Sequence, residues 1–358
     1  MKKFILVAFL ICGISLTGQA RNLDIYWVDV EGGAATLIVT PEGQSLLVDT
    51  GWAVPDDRDA KRIFQAAQKA GLKKIDYLLI THYHGDHVGG VPALAKLIPI
   101  EHFLDHGESV EAQHPRWGKD WEAYKPVAAG KRTILKPGDK LPLKGLDAVV
   151  VSANGQVISA PVKGAGGANP YCEGAQQKPA DKTENQRSVG FLLTYGKFKF
   201  LDLGDLTWDM EMQLACPVNK LGTVTLFQAT HHGFTNDFSG APAHVLALKP
   251  QVVVVNNDAD KGWHNAAWET VAKIQGLEDV WQMHQAIGPN RDHNVKPEQI
   301  ANLEASPLSL PPLPRHGLMA SVSDNGKFTL TNDRTGFSKT YTAATGRVVA
   351  AGGYAGKN

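Results

Sequence analysis

The sequence predicts an α/β fold in which two β-sheets pack face to face and carry helices on their outer sides. Short β-rich runs alternate with helical segments, and the order seen in the first half of the chain returns in the second half. One run, residues 75–80, is nearly all apolar, as expected for a strand buried on both faces. Since each sheet must bury a face, two such halves are expected to pack together.

The first half begins with three β-rich runs, at 23–29, 35–40 and 45–49. Glycine- and proline-containing turns separate these runs. Residues 57–72 predict a helix, because their apolar side chains recur every three or four positions. The strand at 75–80 follows this helix.

The second half repeats this arrangement. A hairpin is predicted at 188–203 around Gly196, and Thr207 is suited to begin the helix predicted at 207–215. Two more strands and a helix are predicted at 224–229, 252–256 and 266–275. Residues 159–187, rich in Gly, Pro, Ala, Lys and Gln, predict a long loop, and the proline-rich residues 308–315 predict a linker. A small β appendage is predicted after the linker.

The first 20 residues predict a secretory signal peptide. Lys2 and Lys3 precede a short apolar run, and small residues stand at Gly18 and Ala20, where cleavage is expected. The run is too short to span a membrane, so we expect an exported protein, periplasmic or secreted, without stable membrane insertion after cleavage; an uncleaved anchor is the alternative. The predicted organisation is a signal peptide at 1–20, a main domain at 21–307, and a linker with the appendage at 308–358.

The balance of charged residues bears on the possible binding partners. Residues 21–358 contain 34 Lys and Arg and 36 Asp and Glu, a balance that gives no overall attraction for polyanions. Nucleic acid is therefore a weakly supported partner.

Cys172 and Cys216 remain after cleavage. In an oxidising compartment they could form a disulfide or stay as separate thiols.

The most informative motif is His-x-His-x-Asp-His, formed by His82, His84, Asp86 and His87. Imidazole and carboxylate ligands suit zinc, manganese or iron, and a set without thiolates points away from a closed structural zinc site. A His-rich polar surface loop is the alternative interpretation. Packing alone does not explain four metal-binding side chains within six positions.

Residues 81–90, THYHGDHVGG, resemble the signature of the metallo-β-lactamase superfamily. The resemblance implies an αβ/βα sandwich of two mixed sheets and a site for two divalent metal ions, zinc first, with manganese or iron as alternatives. It implies that the first ion is bound by His82 and His84 and the second by Asp86 and His87. The two glycines that end the motif, Gly89 and Gly90, fit a sharp exit into a helix, where a side chain would crowd the metal loop.

The other ligands are also assigned by resemblance. Asp205, in Leu-Gly-Asp after a β-rich run, fits the superfamily's bridging carboxylate, with a helix-initiating acid as the alternative. The order Asn-x-x-Ser, Leu-Gly-Asp, His-His-Gly and Gly-x-His resembles the hydrolase domain of the DNA-uptake competence family and the phosphorylcholine-esterase branch. This resemblance implies that His231 or His232 completes the first metal site and that His264 completes the second.

The resemblance also implies roles around the metals. Two metal ions would lower the pKa of a shared water and supply a bridging hydroxide as nucleophile. Asp86 is expected to orient that hydroxide, and the spare member of the histidine pair, assigned here as His232, to protonate the leaving group. Asn185, or Arg187 beside it, could stabilise an oxyanion or only anchor its loop. Asp49 is expected to accept the second ring proton of a ligand histidine.

The sequence therefore predicts an exported metallohydrolase that acts on a phosphodiester or related phosphate ester, in a small molecule or an envelope polymer, because two hard cationic centres suit a phosphate. Lactones, carboxylic esters and β-lactams are alternative substrates for the same site, and a non-catalytic binding module is a further alternative. The basic segment 116–144 contains Trp117, Trp121 and Tyr124. Its composition fits phosphate contacts with stacking, or a solvated helix that buries an aromatic stripe.

Overall fold

The computed structural model describes residues 21–234, 238–304 and 315–344, so the predicted signal peptide and most of the predicted linker lie outside the described residues. The described strands are β1 Leu23–Trp27, β2 Thr36–Val39, β3 Ser45–Val48, β4 Ile75–Leu79, β5 Ile100–Asp105, β6 Arg132–Ile134, β7 Asp147–Ala153, β8 Gln156–Val157, β9 Gly190–Tyr195, β10 Phe198–Asp202, β11 Leu226–Gln228, β12 Val252–Val255, β13 Asp279–His284, β14 Ile300–Asn302, β15 Leu318–Val322, β16 Lys327–Asn332 and β17 Ser338–Thr342. The described helices are α1 Arg58–Lys69, α2 Gly85–Val88, α3 Val91–Leu97, α4 Gly118–Ala128, α5 Trp208–Ala215, α6 Thr230–Phe234, α7 Pro242–Leu248 and α8 Asn265–Val271.

These strands form two mixed sheets, which confirms the predicted fold class. The first sheet has the order β17-β16-β15-β1-β2-β3-β4-β5-β6, and the second has the order β14-β13-β12-β11-β10-β9-β7-β8. Strands β3 to β6 pair in parallel, as do β10 to β14, while the other pairs within each sheet are antiparallel. The all-valine strand β12 is buried at every position, as expected between two covered faces.

The two sheets pack against each other through large apolar side chains. Trp27 of the first sheet meets Phe200 of the second with ring centroids 6.0 Å apart and nearly perpendicular planes, an arrangement that aromatic pairs favour. The indole N–H of Trp27 donates to Gln228 Oε1 at 2.7 Å, so the one polar atom of this buried ring is satisfied. Two further apolar clusters lie on the outer faces, under the helices.

The C-terminal strands continue the first sheet. Strand β15 pairs antiparallel with β1, with Ile25 opposite Ala320, and β16 and β17 extend the sheet beyond it. The predicted β appendage thus shares the inter-sheet core, where Phe328 and Tyr341 are buried.

The fold brings several loops to one edge of the sandwich. The segments that follow β4, β10, β11 and β12 all leave the carboxyl ends of parallel strands. In open α/β sheets this edge is where ligands bind. The predicted metal-binding residues stand on these four segments. Across the described ranges, no helix has both the length and the apolar character that a membrane span requires.

Cys172 and Cys216 form a disulfide in the structure. The bond joins residues 44 positions apart and fastens the long loop predicted at 159–187 to the end of α5. The sequence left this pairing open, because the distance between the two Cα atoms, 5.7 Å, is set by the tertiary fold.

Reduction of this disulfide should lower the free energy of unfolding by about 2–4 kcal/mol, since the open chain regains the conformational freedom of the closed loop. Urea unfolding with and without dithiothreitol measures the difference. The double variant Cys172→Ser/Cys216→Ser serves as the control and should respond little to the reductant. Equal stability of the reduced and oxidised wild-type protein would contradict this expectation.

Candidate metal centre

The metal-loop motif lies between β4 and α2 and is almost completely buried. Three of its four metal-binding side chains, His82, Asp86 and His87, are at most 7 % exposed. The loop can pack this tightly because of the glycines that follow it. A Cβ atom would lie 2.3 Å from the carbonyl oxygen of Gly85 if placed on Gly89, and 2.2 Å from that of Thr50 if placed on Gly90. The predicted crowding is confirmed.

A carboxylate oxygen of Asp205 lies at the centre of the candidate site. Its Oδ2 is 3.3 Å from Nε2 of both His87 and His231, 3.5 Å from Nε2 of His232 and 3.9 Å from Nε2 of His82. Four imidazoles thus surround one carboxylate. Such an arrangement is what a ligand shared between two cations requires.

The ligand atoms divide into two groups around Asp205. In the first group, His82 Nε2 is 3.1 Å from His84 Nδ1. In the second, the ligand atoms of Asp86, His87, Asp205 and His232 all lie within 4.8 Å of one another.

The residues present fit divalent cations. Two atoms that each lie about 2.0–2.1 Å from a tetrahedral zinc ion are about 3.3 Å apart, close to the separations found here. Nε2 of His87 and Nε2 of His232 are buried and make no hydrogen bond of acceptable geometry within the described residues. Buried polar atoms are normally satisfied, so these two nitrogens indicate an absent partner. The donor set of imidazole and carboxylate suits zinc, manganese or iron.

The pair His231 and His232 lies in an unusual backbone conformation. Within α6, φ is +53° at His231, +57° at His232 and +91° at Gly233. This left-handed region costs a non-glycine residue about 1–2 kcal/mol. Both rings face Asp205 at similar distances, so the choice between His231 and His232 as the metal ligand stays open. The proton-donor role assigned to His232 stays a prediction.

Two other sequence-predicted residues lie outside the clustered ligands. His264 precedes α8, and its Nδ1 is 3.3 Å from Nδ2 of Asn290. The structure does not bring it into the group formed by Asp86, His87, Asp205 and His232. Asn185 lies on the 3-10 helix Glu184–Arg187, and its Oδ1 is buried without a hydrogen-bond partner in the described part of the chain. The ligand role of His264 and the oxyanion role of Asn185 stay predictions.

Asp49 contacts both His87 and Thr81. Its Oδ2 accepts a hydrogen bond from Nδ1 of His87 at 2.7 Å, and both of its oxygens accept hydrogen bonds from Thr81. A carboxylate in this position fixes the ring orientation of a ligand and leaves Nε2 for the metal.

Sequence reasoning missed four residues that support the centre. Glu111 Oε2 is 2.8 Å from Nε2 of His84, and Ser188 Oγ lies near His82 and accepts a hydrogen bond from the backbone N–H of Asp205. Lys261 Nζ contacts Asp86 Oδ2 and the carbonyl oxygen of Gly32. Glu184 is buried and accepts hydrogen bonds from Tyr83 N and Val110 N. Only Ser188 carried a signal, as the last residue of the Asn-x-x-Ser pattern.

Electrostatics at the centre favour cations. Burial lowers the pKa of His231 to about 4, so its ring is neutral near pH 7. Burial opposes ionisation of Asp86 and Asp205. Lys261 and two histidines nevertheless hold the pKa of the Asp86 carboxyl well below its usual range, and the surrounding histidines do the same for the pKa of Asp205. Burial likewise disfavours a charged His87, but the three adjacent carboxylates raise its pKa well above normal. The negative field that does so favours any cation at this position.

Replacement of Glu111 by Gln should weaken metal binding about 10- to 100-fold, the usual cost of losing the outer partner of a ligand histidine. The amide keeps the size of the side chain and removes the charge that orients His84. Competition with a chromogenic chelator measures the affinity. Glu108→Gln is the control, since Glu108 is exposed and pairs with Arg132. Equal affinities for both variants would argue against the role of Glu111.

The basic segment 116–144 buries most of its aromatic side chains. Trp121 and Tyr124 are at most 1 % exposed and pack around Tyr83, so neither can stack on a nucleic-acid base. Three of its cations, Lys125, Arg132 and Lys140, pair with nearby carboxylates. Of the two interpretations of this segment, the helix with a buried aromatic stripe matches the structure.

Comparisons with known proteins relate part of the chain to one superfamily. Residues 28–173 match the model of the metallo-β-lactamase superfamily. The chain is 34% identical over 108 residues to an atrochrysone carboxyl ACP thioesterase from Cryptosporiopsis sp. (strain 8999). The aligned residues are 30% of this chain and 32% of that protein. It is 37% identical over 78 residues to a UPF0173 metal-dependent hydrolase from Cupriavidus necator, 22% of this chain and 25% of that protein. The chain thus spans about a third or less of the length of these relatives.

Among solved structures, the diiron β-hydroxylase CmlA from Streptomyces venezuelae is similar with a TM-score of 0.38 and 16% identity, over 73% of this chain and 48% of that chain. The two sheets with outer helices form the metallo-β-lactamase fold. Residues 28–173 thus resemble the metallo-β-lactamase superfamily, and the two-sheet fold and the ligand cluster agree with that resemblance.

Proposed function

We propose that the chain hydrolyses a phosphodiester or a related phosphate ester at the Asp205 cluster. The observation that carries this proposal is Lys261. Its ammonium contacts Asp86 and lies 5.3 Å from the ring centroid of Trp52, while the side chain stays 28 % exposed. A fixed, partly exposed cation beside the ligands suits the non-bridging oxygen of a phosphate ester. The resemblance to the competence and phosphorylcholine-esterase hydrolases supports the same substrate class.

The arrangement of the side chains supplies the parts that this reaction needs. Divalent cations held by the two ligand groups would activate both the scissile ester and a water molecule. Asp49 and Glu111 hold the rings of His87 and His84 in their ligand orientations. Lys261 contacts the carboxylate of Asp86, and its partly exposed side chain would also reach an anionic substrate.

The second candidate is an acyl substrate at the same centre: a carboxylic ester, a lactone, a thioester or a β-lactam. Similarity to several fungal proteins favours it, since those proteins are named as thioesterases. The matched part is about a third of those proteins, so their activity is a guide to test rather than a property of this chain.

We also propose that the protein is exported. The disulfide between Cys172 and Cys216 supports it, because such bonds persist mainly in oxidising compartments such as the periplasm and the extracellular space.

A substrate panel separates these functions. Protein loaded with zinc or manganese should hydrolyse bis(p-nitrophenyl) phosphate, and EDTA should abolish the activity. Turnover restricted to p-nitrophenyl acetate or an acyl thioester would select the acyl candidate. Full metal occupancy without turnover of any ester would instead support the non-catalytic binding module.

Replacement of Lys261 by Met should lower kcat/KM for bis(p-nitrophenyl) phosphate about tenfold more than for neutral p-nitrophenyl acetate. A charge-assisted hydrogen bond of about 1.5–3 kcal/mol would be lost with the anionic substrate only. Steady-state kinetics on both substrates measures the ratio. Lys96→Met, on the outer helix α3, is the control. An equal loss on both substrates would show that Lys261 acts only by holding Asp86.

A further inference from the structure

An exposed aromatic ring lies beside the metal ligands. Phe238 is 52 % exposed, and its ring stacks on that of His231 with centroids 6.2 Å apart and planes 25° apart. The same histidine has its Nε2 3.3 Å from the central oxygen of Asp205. Phe238 thus presents an apolar surface to solvent, one side chain away from the candidate reaction centre.

The backbone around Phe238 is fastened to the segment that carries Asp205. The N–H of Trp208 donates to the carbonyl oxygen of Phe238 at 2.7 Å. The neighbouring Ser239 donates its hydroxyl to the carbonyl oxygen of Leu206 at 2.6 Å. These bonds hold the backbone of residues 238 and 239 next to the segment that carries Asp205.

Fixed exposed rings are well suited to bind apolar groups. A phenylalanine has few rotatable bonds, and a fastened backbone reduces the entropy lost when a ligand packs against the ring. The surface of Phe238 that solvent now covers would become buried in such a contact, which favours binding.

The cation and the exposed aromatic ring contact different members of the ligand cluster. Lys261 contacts Asp86, whereas Phe238 covers His231. A substrate that meets both would carry its negative charge at the reacting ester and an apolar group next to it. Trp117 is a weaker candidate for this contact, because the guanidinium of Arg116 lies 4.1 Å from its ring centroid and covers one face.

We propose that Phe238 forms an apolar subsite beside His231 that binds the aryl or other apolar group of the substrate ester. This proposal rests on the proposed function only in placing the ester at the Asp205 cluster. It narrows the substrate class to phosphate esters that carry an apolar substituent.

Phosphonate binding tests the subsite without turnover. Phenylphosphonate and methylphosphonate are titrated calorimetrically into zinc-loaded wild-type protein and into Phe238→Ala, Phe238→Leu and Phe337→Ala. The wild type should bind phenylphosphonate about threefold to tenfold more tightly than methylphosphonate, the range expected for one aromatic pair. Phe238→Ala should bind both alike, and Phe238→Leu should show an intermediate preference. The control Phe337→Ala removes a half-exposed ring that stacks on Trp281 and should keep the wild-type preference.

Two results would overturn the subsite: no preference for phenylphosphonate in the wild type, or an unchanged preference in Phe238→Ala with normal zinc content. Failure of the proposed function is visible separately, as absence of bis(p-nitrophenyl) phosphate turnover. A phenylphosphonate preference that depends on Phe238 would support the subsite even then, and would direct the search to other esters with apolar substituents.

Discussion

Replacement of Asp205 by Asn should abolish turnover and remove bound metal. The amide has the size of the carboxylate but lacks the negative charge that four imidazoles now surround. Loss of an outer-shell partner typically costs 10- to 100-fold in metal affinity or activity, so loss of a shared ligand should cost more, roughly a thousandfold or above. Metal analysis by mass spectrometry, together with kinetics on the ester panel, measures both effects.

Asp202→Asn is the matched control for this experiment. Asp202 is buried three residues before Asp205, accepts a hydrogen bond from the N–H of Gly204, and burial raises its pKa to about 7. It is absent from the ligand group of the described residues, so its amide variant should retain metal. Full metal content and activity in the Asp205 variant, with losses in the Asp202 variant, would exchange the roles of the two carboxylates.

The fold was predictable from the sequence because its signals are local. Alternation of strands and helices, together with a nearly continuous apolar strand such as β4, is written within short windows of the chain. The disulfide and the pairing of β15 with β1 were not predictable. Both depend on contacts between residues far apart in sequence, and no local pattern reports such distances.

The candidate site likewise has residues that were predictable from the sequence and residues that were not. The motif from His82 to His87 stands out because its ligands are adjacent in sequence, and Asp205 follows a recognisable strand. The supporting residues are scattered: Glu111 lies 27 positions from His84, and Lys261 lies 175 positions from Asp86. A lone acid or lysine has no sequence pattern that separates it from an ordinary surface charge. The tertiary fold alone brings these residues to the ligands.

The left-handed backbone of His231 and His232 was also not predictable from the sequence. Nothing in the letters His-His-Gly indicates that two non-glycine residues adopt positive φ, since this conformation is unfavourable for them locally. It persists because surrounding structure holds it. The N–H of His231 donates to the carbonyl oxygen of Gly204, and the N–H of Trp263 donates to that of Gly233. Strain of this kind is stored mainly at functional sites.

Gly262 packs directly against the backbone of the histidine pair. A Cβ atom there would lie 1.8 Å from the carbonyl oxygen of His232, and φ of Gly262 is +82°. Gly262→Ala should therefore displace the histidine pair and lower the free energy of unfolding by about 2–5 kcal/mol, the sum of a left-handed alanine and an overpacked contact.

Gly71→Ala is the control that separates these two costs. Gly71 has a φ of +77° and no atom near its Cβ position, so its alanine variant should lose only about 1–2 kcal/mol of stability. Urea unfolding gives the stabilities, and zinc titration should show weaker binding for Gly262→Ala alone. Equal stability and zinc affinity in the two variants would mean that the His232 carbonyl can move freely, and that its left-handed backbone is not needed to hold the ligand.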